Sequence, residues 1–221
     1  MTGDGLLRAL IKNGIYQIMP LEKATAQVII VEQHYLHRRA SCSFAWGLYR
    51  ETVLCGVIMY GSPVSSTLCR GICGPDEARN VIELTRLWVA DDVPQNGESF
   101  LIGNTLKLVP KNIVVSFADP AAHHVGTIYQ ATNALYTGLG PPRKKWVSLE
   151  HPNKHFHRGS TQGMTYDILR QTPGVAYVPA VQKHRYIWFT GSKRRRKELL
   201  LKLRYPVLPY PKGKTENAAA H

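Results

Sequence analysis

Residues 113–133 read Ile113-Val-Val-Ser116-Phe-Ala-Asp119-Pro-Ala-Ala-His123-His124-Val-Gly126-Thr-Ile-Tyr129-Gln-Ala-Thr-Asn133. Ile113 to Val115 is a short apolar run of the kind that forms a buried strand. Pro120 has no N–H to give a ladder, so the strand ends before it. Ser116, Asp119, His123 and His124 therefore fall at the strand's end. From Gly126 onward, Ile128, Ala131, Leu135 and Tyr136 recur at roughly helical spacing and predict a helix. A strand thus hands a carboxylate and two imidazoles to a loop, where open sheets bind their ligands. Asp119 alone also reads as a turn former before proline or as a helix cap. The grouping of Ser116, Asp119, two histidines and Tyr129 is what points to a site.

Upstream, Val81 to Val89 predicts a strand, with Glu83, Thr85, Leu87 and Val89 on one face and Leu84, Arg86 and Trp88 on the other. An arginine in such a strand needs an anion or a carboxylate partner. Residues 91–99 form a turn-rich connector, and Ser99 is placed to cap a helix from Phe100 to Leu108. Strand, polar loop and helix in this order can present backbone N–H groups to a phosphate. Gln95, Asn96, Gly97 and Ser99 are the candidates there, although no Gly-x-Gly-x-x-Gly pattern is present. Further back lie a strand at Gly14–Met19, Pro20 at a helix start, and a helix over Leu21–Gln33 with Leu21, Ala24, Val28 and Val31 on one face. The helix ends in His34-Tyr35, followed by His37, Arg38 and Arg39. Ser43–Tyr49 and Thr52–Tyr60 read as a hairpin. Residues 61–80, rich in Gly, Ser, Pro and Cys, read as a long loop. The whole predicts an α+β fold built on a mixed sheet flanked by helices.

After Gly138 the composition turns to Gly, Pro, Lys, Arg and His. Arg143, Lys144 and Lys145 beside Trp146, then His151, Lys154, His155, Phe156, His157 and Arg158, suit a nucleic-acid surface on which cations meet phosphates and rings stack on bases. Lys183 to Phe189 is a further strand. Lys193, Arg194, Arg195, Arg196 and Lys197 lead into a short basic helix, where cations oppose the helix dipole, so a polyanion is the expected reason for them. The divisions read from this are a core over 1–138, a basic elaboration of the same domain over 139–212, and a tail over 213–221.

With 28 Lys and Arg against 15 Asp and Glu, the chain of 221 residues carries a formal charge of +13. That balance favours nucleic acid as a partner. No apolar run reaches the roughly 18 residues of a membrane span. No secretory signal is evident. Cys42, Cys55, Cys69 and Cys73 read as reduced thiols in a cytoplasmic setting. Cys69 and Cys73, with three residues between them, do not match the tight pairs of zinc sites.

The central stretch, together with Glu83-Leu-Thr-Arg86-Leu, His34-Tyr35, Lys183-His-Arg185-Tyr186 and Tyr210-Pro-Lys212, resembles the phage Mom family of DNA-modification proteins. The resemblance covers most of residues 30–212. It implies a fold like the GNAT acyltransferases. It also implies modification of adenine N6 in double-stranded DNA to a carbamoylmethyl adenine that protects the DNA from restriction, in the cytoplasm of a host cell. His34, Tyr35, Arg86, Ser116, Asp119 and Tyr129 are the functional positions it carries over. Iron is a further implication, with His34, Asp119 and His124 as ligands.

A base must take a proton from the adenine amine as the new bond forms. Asp119, with a carboxyl raised by burial, is the first expectation and His34 the second. Transfer of a glycyl group to N6 followed by an internal rearrangement accounts for every atom of the product, so a glycyl donor such as glycyl-tRNA is expected ahead of an acyl-CoA. The rival readings are an acyltransferase acting on tRNA or a protein amine, and a DNA-binding protein without catalysis.

Overall fold

The computed structural model describes residues 15–63, 65–150, 155–156 and 165–212. Within them, strands β1 (Tyr16–Pro20), β2 (Phe44–Arg50), β3 (Val53–Gly61), β4 (Val81–Val89), β5 (Ile113–Ala118), β6 (Leu135–Leu139) and β10 (His184–Phe189) form one sheet in the order β1-β2-β3-β4-β5-β10-β6. Every neighbouring pair is antiparallel except β4 and β5. This is the mixed α+β sheet that the sequence predicts. Strands β7 (Arg143–Ser148), β8 (His155–Phe156) and β9 (Val175–Ala180) make a second, three-stranded sheet with β7 in the middle. The calls on His151, Lys154, His157 and Arg158, and on the 213–221 tail, lie outside the described residues.

Helices cover both faces of the large sheet. Helix α1 (Lys23–Gln33) buries Ala26 and Ile30, one turn apart, against Ala45, Val57 and Met59. The predicted face of Leu21, Ala24, Val28 and Val31 is not the buried one, and Val28 stays half exposed. Apolar residues run almost all round this helix, so periodicity does not choose between its faces. Pro20 closes β1 rather than opening α1. An edge strand such as β1 accommodates a proline, because one side of its backbone has no partner.

Within the predicted loop, residues 66–80 are largely helical. Ser65 accepts a hydrogen bond from the Leu68 N–H and caps α2 (Ser66–Cys73), and Pro75–Asn80 follows as a 3-10 turn. Ile72 and Cys73 of α2 pack with Leu199 of α6 (Lys193–Lys202) on the sheet face formed by Val81, Ile113, Val115 and Ile187. On the opposite face, α3 (Gly97–Thr105) packs Leu101 and Ile102 against Ile58, Ile82 and Val114. The helix predicted from Gly126 lasts one turn, α4 (Thr127–Gln130). Asn133 then adopts a left-handed φ of 58°. That reverses the chain, so Leu135 and Tyr136 belong to β6. A short α5 (Tyr166–Gln171) precedes β9.

Candidate active site

Two irregularities in the large sheet create the site. Strands β4 and β5 pair only from Val81↔Ile113 to Glu83↔Val115, although β4 runs on to Val89 and β5 to Ala118. Beyond Glu83 the two strands part. The second irregularity lies between β3 and β4, where Tyr60 faces Leu84 but Met59 faces Arg86. Thr85 is therefore an extra residue, a bulge held by its hydroxyl, which lies 2.9 Å from the Ser41 carbonyl and 3.2 Å from that of Met59. The bulge reverses the alternation: Leu84 shares a core with Leu87 and Val89, while Trp88 packs in the other. Arg86 thereby moves to the face of Glu83, contrary to the simple alternation read from the sequence.

The parted strands open a cleft of about 710 Å³. His34 and Tyr35 enter it from the end of α1, Glu83 and Arg86 from β4, Ser116 and Asp119 from β5, and Tyr129 from α4. All six residues that the resemblance carried over thus line one cavity, and Glu83 joins them. Gly126 lies beneath it with a φ of 85°, where a Cβ would overlap the Tyr186 ring. Only glycine provides both that backbone and that clearance.

The charge states are legible from the partners. Nδ1 of His34 accepts the Leu36 N–H at 3.1 Å. A backbone N–H can only donate, so the neutral ring carries its proton on Nε2. Burial lowers the His34 pKa to about 4, helped by the charges of Arg86 and Arg38. His34 therefore presents an N–H donor near neutral pH. Tyr35 stacks on it at 4.4 Å, and the His124 ring is 5.4 Å from that of Tyr35. Oγ of Ser116 is 3.0 Å from the Leu84 carbonyl and 3.0 Å from the Tyr129 hydroxyl. Ser116 has one proton, and the carbonyl can only accept, so Tyr129 donates to Ser116 when Ser116 donates to Leu84. Burial pushes the Tyr129 phenol up to about 12, which keeps it protonated.

Asp119 departs from expectation. Burial acts to raise its carboxyl, but Lys183 at 2.8 Å, the Ala121 N–H at 3.0 Å and the charge of Lys145 outweigh it, and the net shift is downward. Asp119 is an ion-paired turn former here, not a carboxyl raised to serve as a base. Glu83 is the reverse case. Burial raises its pKa against the pull of Arg86, Arg143 and Lys183. Arg86 gives one hydrogen bond to the Thr85 carbonyl at 2.6 Å, and its buried Nε–H has no partner among the described residues. Of the anion or carboxylate partners expected for Arg86, neither Asp119 nor Glu83 forms an ion pair with it among the described residues, which leaves an anionic ligand. Sequence reading weighed Glu83 only as a partner for Arg86. The bulge that turns the two onto one face has no pattern in the sequence.

No three His, Cys, Asp or Glu side chains converge as metal ligands among the described residues. Lys183 holds Asp119, and the proposed trio of His34, Asp119 and His124 forms no ligand group, so it does not fit iron. Cys73, pushed up to about 11 by burial, turns its thiol to the Leu199 carbonyl. No described helix is long and apolar enough to cross a membrane.

Of the 91–99 connector only Asp91 and Glu98 line the cleft, while Gln95, Asn96 and Ser99 border a separate small pocket. Asn96, not Ser99, occupies the cap position of α3, with a left-handed φ of 77° and no side-chain cap, and Ser99 bonds back to the Asn96 carbonyl. Gly97 is buried where a Cβ would meet Val93 at 2.7 Å, so it serves packing. Glu98 adds a negative charge to the first turn and lines the cleft.

Among the basic candidates, Arg143 and Lys183 line the cleft, and Lys144 lies 5.7 Å from the centroid of the Tyr177 ring. Trp146 is not available to a base: it is buried and stacked on Tyr177 at 4.7 Å. Lys193, Arg194 and Arg196 are exposed on α6. Arg195 is not, since it pairs with Glu198 and with the buried Glu77, as does Lys202.

The model of the Mom protein family matches residues 15–212. The chain is also 32% identical over 199 residues to the methylcarbamoylase mom of Escherichia phage Mu, covering 85% of this chain and 80% of that protein. The chain belongs to the Mom protein family. Solved structures similar to this family member include yncA of Salmonella typhimurium, described as an acetyltransferase with its cofactor acetyl-CoA, at 11% identity and a TM-score of 0.46 over 80% of this chain and 95% of the other. Another is an acetyltransferase of Bacillus subtilis in complex with CoA, at 11% identity and a TM-score of 0.42 over 80% and 99%.

Proposed function

We propose that the chain transfers an acyl group, a glycyl unit in particular, to N6 of adenine in double-stranded DNA, giving a carbamoylmethyl adenine that resists restriction. The observation that carries this reading is the cleft between β4 and β5. Its lining sets Arg86, Arg143 and Lys183 beside Glu83, Asp91, Glu98 and Asp119, and it holds hydrogen-bond donors at His34 and Arg86. Membership in a family whose phage Mu member is named a methylcarbamoylase supports the same chemistry.

Adenine N6 is buried in a duplex, so the base must leave the stack to enter. The exposed ring of Tyr35, backed by His34, is a surface on which it can stack. The amine then attacks the acyl carbonyl. Arg86 and the Nε2–H of His34 are the donors placed to meet the oxyanion. Tyr129, protonated and linked to Ser116, is placed to return a proton to the leaving group.

Atom bookkeeping favours a glycyl donor. Attack of N6 on a glycyl ester forms the C–N bond, breaks the C–O bond and releases an alcohol. The free glycyl amine then adds to ring carbon six through a five-membered spiro intermediate. Expulsion of the original nitrogen leaves the carbamoylmethyl isomer, with no oxidant needed. An acetyl donor would need both a nitrogen and an oxidation. The α3 loop supports this choice, because its one glycine packs against Val93 and Glu98 opposes a diphosphate. An aminoacyl ester such as glycyl-tRNA fits; acyl-CoA is the alternative.

The test is mass spectrometry of nucleosides from plasmid DNA of cells that express the chain and are fed labelled glycine or labelled acetate. A deoxyadenosine heavier by one glycyl unit, carrying the glycine label, is expected. Label from acetate alone overturns the donor. Unmodified DNA in cells with abundant folded protein moves the acceptor to a tRNA or protein amine.

A further inference from the structure

We propose that Glu83 is the base that takes the proton from the acceptor amine. The assignment rests on the amine-acylating reading above and goes beyond it by naming the group on which that chemistry turns.

His123, His124, Asp91 and Glu98 also line the cleft, and three of its other titratable groups are occupied. The lone pair of His34 Nδ1 receives the Leu36 N–H, and its Nε2 already bears the proton, so neither nitrogen is open to accept. Asp119 receives the Lys183 ammonium and the Ala121 N–H. Tyr129 holds its own proton. Glu83 lines the same cleft, and its carboxylate has no hydrogen bond or ion pair among the described residues. Such an unpaired carboxylate facing a cavity costs stability, and in a folded core it is retained where it has work to do.

Its position is set by the sheet. Glu83 is the last residue of β4 still paired with β5, opposite Val115, so its backbone is fixed on both sides while its side chain stands where the strands part. The bulge at Thr85 brings Arg86 onto the same face. One group on that face accepts a proton, and its neighbour carries a buried N–H without an acceptor. Burial lifts the Glu83 carboxyl toward working pH, which makes it a stronger base than an ordinary carboxylate.

In the step, one N6 proton passes to the Glu83 carboxylate as the N6–carbonyl bond forms. The carbonyl–oxygen bond of the donor ester then breaks, and the leaving alkoxide takes a proton, either directly from Glu83 or through Tyr129 with Glu83 restoring it. Ester and amine become amide and alcohol, and Glu83 ends as it began.

The test compares full-length wild-type, Glu83→Gln and Glu83→Asp chains by modified deoxyadenosine in plasmid DNA, by affinity for a duplex oligonucleotide, and by thermal melting. Glu83→Gln is expected to lose about a thousandfold of the modification with duplex affinity and melting near wild type, and Glu83→Asp to recover part of it. Modification by Glu83→Gln at the wild-type level overturns the assignment alone. Loss of duplex affinity or of melting temperature in Glu83→Gln overturns it in favour of a structural role. Unmodified DNA from the wild-type chain overturns the acceptor reading and the assignment together.

Discussion

His34 and Asp119 make opposite points about single residues. A backbone N–H fixes the tautomer of His34, and burial holds the ring neutral down to about pH 4. In the proposed step it serves as an N–H donor, whose removal costs an oxyanion site about a hundredfold or more. His34→Ala should lose activity on that scale, while His34→Gln, which still offers an N–H, should retain more of it; modified nucleoside per unit of folded protein measures both. Asp119, by contrast, is tied to Lys183 and to the turn at Pro120–Ala122, whose Ala121 N–H it accepts. Asp119→Asn should lower modification by about tenfold, and adding Lys183→Met should do little further harm, because the pair acts as a unit. Equal and multiplicative losses in the two single variants would show that Asp119 has a role of its own.

At the scale of elements, what could be read in the sequence follows from what each signal depends on. The runs at Thr52–Tyr60, Val81–Val89 and Ile113–Val115 were readable as strands, because a buried strand needs only β-branched and aromatic residues in sequence. The six site positions came from the resemblance, and the cleft gathers all six. The direction of Arg86 was not legible, since it depends on a bulge that Thr85 makes by bonding to two carbonyls from other segments. The helix predicted through Tyr136 failed at Asn133, a residue whose left-handed turn outweighs apolar spacing. On α6, Arg195 looks in sequence like its neighbours, but a partner 118 residues away takes it out of the basic surface. That partner, Glu77, is held at about pH 2 by the Arg195 guanidinium, against burial, with Asn80 and Lys202 assisting. A depressed carboxyl stabilises the fold above its unfolded pKa of about 4.5 and loses that contribution as the pH falls toward 2. Glu77→Gln should therefore cost about 2 kcal/mol at neutral pH. The difference in melting temperature from wild type should shrink as pH falls from about 5 to 3. A difference constant with pH would mean that the glutamine disturbs packing rather than charge.

For the molecule as a whole, the register of the sheet separates two basic surfaces. Strand β10 begins at the cleft, where His184 faces Ala118, and ends at Phe189 opposite Ile113, the far end of β5. Five steps along a strand span roughly 17 Å. Helix α6 starts just beyond that end, so Lys193, Arg194 and Arg196 lie away from Arg143 and Lys183, which line the cleft. The two surfaces divide by partner: the α6 cations that point outward are exposed, while Arg195 is tied to Glu77. A cation that meets a DNA phosphate contributes about 0.9 to the slope of log affinity against log salt. Arg194→Gln with Arg196→Gln should therefore lower that slope for duplex DNA by about 2 while leaving the melting temperature in place. Arg195→Gln, one residue away from each, should do the reverse, lowering the melting temperature with little change in slope, because its charge is already spent on Glu77. Titrations of fluorescent duplex from low to moderate salt, beside melting curves of the same preparations, separate the two outcomes. An unchanged slope in the double variant would assign the outward cations of α6 to solvent and leave the cleft mouth as the surface that holds DNA.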